Sequence, residues 1–239
     1  MPLITFSIVS HGQVHLIQSL LKDLAASPNH DFEVIVTLNI PEDQRLYQGF
    51  GIPLRIIKND VPKGFGANHN ASFKLADGKF FAILNPDIRI PVLDLNELTS
   101  HFEAVDVAAV APLVYSAENT IEDSARRFPT VFQLFRRVVL RRRHTDYEVG
   151  EMPIDVDWVA GMFVVFRTEA FRNIGGFDDR RFFMYMEDVD ICRRLRIAGW
   201  VVVLNPKVKV IHMAQRASRR NIKHMKWHAV SAFRYLTGL

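Results

Sequence analysis

Along the first hundred residues, short apolar runs alternate with stretches of helical period. Ile4 to Val9 reads as a first strand. After Ser10-His11-Gly12, the segment Val14 to Ala26 keeps Leu16, Leu20, Leu21 and Leu24 on one helix face. Asp31 to Asn39 predicts a second strand and Leu54 to Ile57 a short third. The loop Pro62-Lys63-Gly64-Phe65-Gly66 precedes a helix from about Ala67 to Ala76. Phe80 to Leu84 is apolar throughout, as a strand covered on both faces requires. Pro86 stops it, because proline has no N–H for a central ladder. This β-α-β, β, α-β alternation predicts a Rossmann-like half with a parallel sheet. Short right-handed crossovers bring the four strand ends to one edge.

The second hundred reads differently. Val107 to Val114 predicts a strand, and Ser116 to Met152 is arginine-rich without strand alternation. Asp155 to Phe166 reads as a strand pair bent at Gly161. Thr168 opens a short helix ending at Gly175-Gly176, and Glu187 to Ala198 is a helix with Gly199 as its C-cap. Trp200 to Leu204 and Val208 to His212 read as two strands, and the basic remainder to Leu239 as helical. With no internal repeat or low-complexity linker, residues 1–239 read as one domain. Residues 1–100 form its Rossmann-like first half and 101–239 its second half.

Composition narrows the class. Hydrophobic residues make up 49% of the 239 and charged residues 23%, as in soluble globular proteins. No apolar run reaches the roughly 18–20 residues of a membrane span. Met1-Pro2-Leu3-Ile4-Thr5 leads into a strand rather than a signal peptide, and the single Cys192 suits a reducing cytosol. The net charge is only +4, but the positive residues collect in two late blocks, which points to an anionic partner.

Asn85-Pro86-Asp87 is good turn chemistry by itself. It also places a carboxylate just past the C-terminal edge of a parallel sheet, where ligands bind and where a hard cation takes oxygen ligands. Four segments in order then resemble the family 2 glycosyltransferases. They are Lys63-Gly64-Phe65-Gly66-Ala67-Asn68-His69-Asn70, then Leu84-Asn85-Pro86-Asp87. Gly175-Gly176-Phe177-Asp178 with Glu187-Asp188-Val189-Asp190 is the third, and Pro206 with His212 the fourth. Ser124 to Pro129 is similar to a segment of bacterial rhamnosyltransferases of surface-polysaccharide synthesis. The chain departs from the family pattern at Ser10-His11-Gly12-Gln13 and at Leu38-Asn39, where an aspartate often reads the pyrimidine base.

The resemblance implies an α/β GT-A fold: a Rossmann-like mixed, mostly parallel central sheet flanked by helices. It implies an inverting, metal-dependent glycosyltransferase that moves a sugar from a nucleotide diphosphate sugar, dTDP-rhamnose among the candidates. Asp87 and His212 are the expected ligands of Mn²⁺ or Mg²⁺, against a plain strand-end histidine. Asp188 is the expected base beside Glu187, against acids that merely suit a helix's first turn. Ser10, His11, Asn39, Asn59, Gly64, Phe65, Gly66, Asn70 and Asn85 are expected around the nucleotide sugar. Trp158, Gly161, Asp190 and Arg126 are expected around the acceptor, with Trp158 equally suited to the core. The acceptor is a saccharide or lipid-linked oligosaccharide. Arg136 to Arg143, after Phe128, Phe132 and Phe135, and Arg216, Arg219, Arg220, Lys223 and Lys226 around Trp227, suggest peripheral contact with an anionic membrane at the cytoplasmic face, against a solvated face or arginines that grip the donor diphosphate. No nucleic-acid motif is present. The competing readings are a non-catalytic subunit of the same fold and a nucleotidyltransferase. The latter lacks its glycine-rich basic signature near the first strand.

Overall fold

The computed structural model describes residues 1–129, 146–214 and 222–238. The arginine block 136–143 lies outside the described residues, as do Arg216, Arg219 and Arg220. In chain order the strands are β1 (Ile4–Ser10), β2 (Phe32–Leu38), β3 (Leu54–Lys58), β4 (Phe80–Leu84), β5 (Ile88–Arg89), β6 (Val107–Ser116), β7 (Ala125–Arg126), β8 (Ile154–Asp155), β9 (Trp158–Val159), β10 (Phe163–Arg167) and β11 (Val201–His212). The α-helices are α1 (Val14–Ala25), α2 (Phe65–Phe73), α3 (Leu95–Thr99), α4 (Thr168–Asn173), α5 (Glu187–Ile197) and α6 (Ile222–Thr237).

The central sheet runs β3-β2-β1-β4-β10-β6-β11-β5, with β8 also on β11. β3, β2, β1 and β4 are mutually parallel, and β6 pairs parallel with β11. Antiparallel β10 joins the two groups, so β6 and β11 run the same way as the first four strands. The mixed, mostly parallel sheet expected from the sequence is therefore present. The ends of β1, β2, β3, β4, β6 and β11 share one edge with the start of β10.

Burial explains the apolar run. Phe80, Ala82 and Leu84 pack into the same core as Ile17, Leu20, Leu21 and Leu24 of α1. Phe81 and Ile83 point the other way, into a core with Phe171 of α4 and Ile191 and Leu195 of α5. A strand between two cores needs apolar residues at every position rather than alternate ones.

Several boundaries differ from the periodicity. The two late strands are one strand, β11. The register shifts between Asn205 and Lys209, so Pro206 sits in a bulge that absorbs its missing donor. The expected strand pair across Gly161 is three pieces with different partners: β8 on β11, β9 on β7 and β10 in the sheet. α2 starts two residues early, at Phe65, with Gly64 extended at its cap. Gly199 has φ +85° and donates its N–H to Arg196 O at 3.0 Å, closing α5 as expected.

The glycines of the 62–66 loop make room for protein. A methyl on Gly64 would stand 2.3 Å from the backbone oxygen of Phe183, and one on Gly66 would stand 2.7 Å from Phe177 Cβ. Phe65 N–H donates to that same Phe183 oxygen at 3.0 Å. Gly64→Ala should therefore destabilise the fold by about 1–3 kcal/mol in urea unfolding. Exposed Gly150, which has nothing within 4 Å of an added methyl, should tolerate alanine to within about 0.5 kcal/mol.

Candidate active site

Asp87 follows β4, and β5 turns back to pair with β11, setting Ile211 opposite Arg89 and His212 opposite Ile88. Met213 N–H donates to Asp87 O at 2.8 Å. The result is a contact across 125 residues of chain: His212 Nε2 lies 3.2 Å from Asp87 Oδ2. On the other side of the ring, His212 Nδ1 lies 2.9 Å from Glu122 Oε2. Burial disfavours the charged imidazole, but Asp87 and then Glu122 outweigh it and raise His212 to about 9. The ring is thus an imidazolium bridging two carboxylates at neutral pH. Asp87 Oδ1 is buried and has no hydrogen-bond partner among the described residues.

Across the edge, α5 begins with the acids. Tyr185 and Met186 precede it with φ of +71° and +67°, two non-glycine residues in the left-handed region. Such backbone costs of order 1–3 kcal/mol per residue and clusters where geometry serves function. Glu187 is buried, and its Oε2 has no hydrogen-bond partner among the described residues. Burial, then the neighbouring Asp188 charge, raises Glu187 to about 8. Asp188 is also raised by burial. Two backbone donors oppose this, Gly161 N–H at 3.1 Å and Val189 N–H at 2.9 Å, and the Arg126 charge favours ionisation as well. Both carboxyls are held above their ordinary values, and Asp188, which has the two backbone donors, is the better placed of the two to bear a negative charge.

At the ends of β2 and β3 the chain is held by asparagines. Asn59 Nδ2 donates to Asn39 Oδ1 at 2.9 Å and to Asn68 Oδ1 at 2.6 Å. Asn39 Oδ1 also accepts from Lys63 N–H at 2.8 Å, and Asn39 Nδ2 donates to Lys63 O at 3.0 Å. Asn68 Nδ2 donates to Gly64 O at 3.0 Å. All three asparagines are buried, so they fasten the 62–66 loop to the ends of β2 and β3.

A family model described as "Glycosyltransferase like family 2" matches residues 2–228. The chain belongs to the family 2 glycosyltransferases. This glycosyltransferase is 32% identical to rhamnosyltransferase WbbL of Escherichia coli (strain K12), over 96% of the chain and 90% of the relative. It is 34% identical to N-acetylglucosaminyl-diphospho-decaprenol L-rhamnosyltransferase of Mycobacterium tuberculosis (strain ATCC 25618 / H37Rv), over 54% of the chain and 45% of that longer protein. Among solved structures it matches GalNAc-T7 with UDP, GalNAc and Mn²⁺ at a TM-score of 0.69 and 12% identity, covering 90% of this chain and 44% of that one. It matches mannosyltransferase PcManGT from Pyrobaculum calidifontis, in complex with GDP-Man and Mn²⁺, at 0.63 and 17%, covering 98% and 64%. At those identities the likeness establishes the GT-A fold.

Within this glycosyltransferase the expected site residues divide. Asn85 and Asp87 follow β4, Gly161 precedes β10 and His212 ends β11, all at the same edge of the sheet; Asp188 is tied to that edge through Gly161 N–H, and Arg126 lies near enough to favour its charge. His11 and Lys63 are exposed beside the ends of β1 and β2, whereas Ser10 is buried and donates to Glu42 Oε2 at 2.9 Å. Asn70 binds the neighbouring segment, donating to Phe177 O at 2.8 Å and accepting from Phe177 N–H at 3.0 Å. Asp190 pairs with Arg194 at 2.7 Å and Arg181 at 3.5 Å, and Arg194 in turn caps Ile174 and Gly176 carbonyls. Trp158 is buried in the second core, donates to Arg127 O at 2.9 Å and lies under the Arg126 guanidinium.

Sequence reasoning missed Glu122, Glu42, Lys63 and Asn68. Glu42 accepts from Ser10, from Tyr47 and from Gly12 N–H, and so shapes the end of β1. Lys63 and Asn68, inside the quoted loop motif, carried a sequence signal, whereas Glu42 and Glu122 did not. Among the described residues no three or more His, Cys, Asp or Glu side chains form a complete metal cage.

The buried acid gives a pH test. Glu187 has a folded value of about 8, above its unfolded value. Its contribution is fully present below the unfolded carboxyl value and is lost as pH rises through about 8. Glu187→Gln removes this loss. The variant should match the parent in urea unfolding near pH 5 and exceed it near pH 8 by more than about 1 kcal/mol.

Proposed function

We propose that this glycosyltransferase moves L-rhamnose from dTDP-rhamnose, with inversion, to a saccharide or lipid-linked saccharide acceptor in surface-polysaccharide synthesis. The 32% identity to a rhamnosyltransferase over nearly the full length supports the sugar. The mycobacterial relative's name supports a diphospho-lipid acceptor.

The contact between Asp87 and His212 carries the reading. A carboxylate oxygen and an imidazole nitrogen 3.2 Å apart, with the second carboxylate oxygen buried and without a partner, suit Mn²⁺ or Mg²⁺. Glu122, on the far ring nitrogen, orients His212 toward the ion as outer carboxylates do. His212 must lose its extra proton to serve as a ligand. When bound, such an ion neutralises the diphosphate leaving group as a Lewis acid. His11, Lys63 and the end of β1 border the nucleotide.

Asp188, in its ionised form, accepts the proton of the acceptor hydroxyl. The hydroxyl oxygen bonds to the anomeric carbon as the carbon–oxygen bond to the diphosphate breaks on the opposite face. Gly161 N–H keeps the Asp188 carboxylate in place. Arg126 favours its charged form.

In a transfer assay from dTDP-rhamnose, with product analysed by NMR, the new linkage should have the anomeric configuration opposite to the donor's. Asp188→Asn should lower kcat by about 10²–10⁴ while dTDP affinity is kept. A retained configuration, or an unchanged kcat, would remove Asp188 from this role.

A further inference from the structure

We infer that the outer face of α6 is a docking surface for an anionic lipid bilayer, and that it sets the catalytic turn against the membrane. This goes beyond the transfer reaction and does not depend on which sugar is moved.

The helix has two faces. The inner one carries His224, Trp227, Ser231 and Tyr235 at spacings of three, four and four. Trp227 stacks on Phe183 with ring centres 4.9 Å apart, and the Tyr185 hydroxyl lies 2.8 Å from His224 Nδ1. Ser231 donates to Met184 O at 2.8 Å, and Arg234 donates to Arg181 O at 2.7 Å. Tyr235 is buried in the second core. These contacts fix α6 to residues 181–185, immediately before Glu187 and Asp188.

The outer face holds Met225, Ala229, Phe233 and Leu236, spaced as one helical stripe. Met225 is 64% exposed and Phe233 59%, with Leu236 and Val230 each at 39%. A helix anchored by one side normally turns polar residues outward, so a contiguous apolar stripe there marks an interaction surface. Phe183, 40% exposed, extends the same apolar character to the catalytic turn.

Charge selects the occupant. Exposed Lys226 lies at the rim of the stripe, just beyond Phe233 around the helix. After Asp190 the sequence has no Asp or Glu through Leu239. A second copy would set two acid-free basic segments together, which like charges disfavour. An anionic bilayer accepts both the apolar stripe and the lysine, as interfacial helices do. The helix is about 10 Å across, so a docked bilayer stands one helix diameter from the turn that carries Asp188.

The test is flotation of the full chain with phosphatidylcholine vesicles and with vesicles of phosphatidylcholine and phosphatidylglycerol at low salt. The chain should float with the anionic vesicles only. Met225→Ser with Phe233→Ser should lower the vesicle partition coefficient by at least about tenfold, and Lys226→Gln by about fivefold. Melting temperature and dTDP affinity should be unchanged, since none of the three residues touches the inner face. Equal flotation of parent and variants would overturn the proposal, as would none by the folded parent. Light scattering that shows a dimer abolished by the serine pair would also overturn it and give the face to a second copy.

Discussion

Two rungs of antiparallel ladder, Ile211 with Arg89 and His212 with Ile88, decide where a late histidine meets an early aspartate. They exist because Pro86 ends β4 and frees the chain to reverse into β5. Arg89 is then clamped to Asp23 of α1 at 2.6 and 2.7 Å, and Ile90 N–H reaches the same carboxylate at 3.0 Å. That clamp keeps β5 where β11 can pair with it. Without these rungs the loop that carries Asp87 would lose its tie to His212, which β11 holds through Ser116 of β6.

A second junction places the acids. Residues 183–186 are pressed between the Gly64-Phe65 cap of α2 and the inner face of α6. The left-handed backbone at Tyr185 and Met186 persists because both sides hold it. The turn delivers Glu187 into the interior without a hydrogen-bond partner and Asp188 onto two backbone donors. Adjacent carboxyls in different surroundings hold their proton unequally, and that asymmetry suits one of them to act as a base.

Strands covered on both faces were legible in the sequence, because Phe80 to Leu84 and Val107 to Val114 needed no periodicity to stand out. The helix α5 was legible from its acids and from Gly199. The parallel edge, and with it the meeting of Asp87 and His212, followed from element order plus family resemblance. What escaped was set by tertiary pairing. β5 and β7 are two residues each and exist only through their partners. Pro206 suggested a break, yet a bulge carried it within one strand. Asn39 and Asn59 were read as ligand contacts, but their neighbours in space, Lys63 and Asn68, engage them. Glu122 sits in a stretch with no periodicity, and only the fold brings it to His212.

The most direct measurement is calorimetric titration of the purified protein with dTDP, in Mn²⁺ and in EDTA, for the parent, Asp87→Ala and Glu122→Gln. The account predicts binding at least about tenfold tighter with Mn²⁺ in the parent, a difference abolished by Asp87→Ala and reduced about 10–100-fold in Mn²⁺ affinity by Glu122→Gln. Nucleotide binding indifferent to both the metal and Asp87, or none by the folded protein, would contradict it.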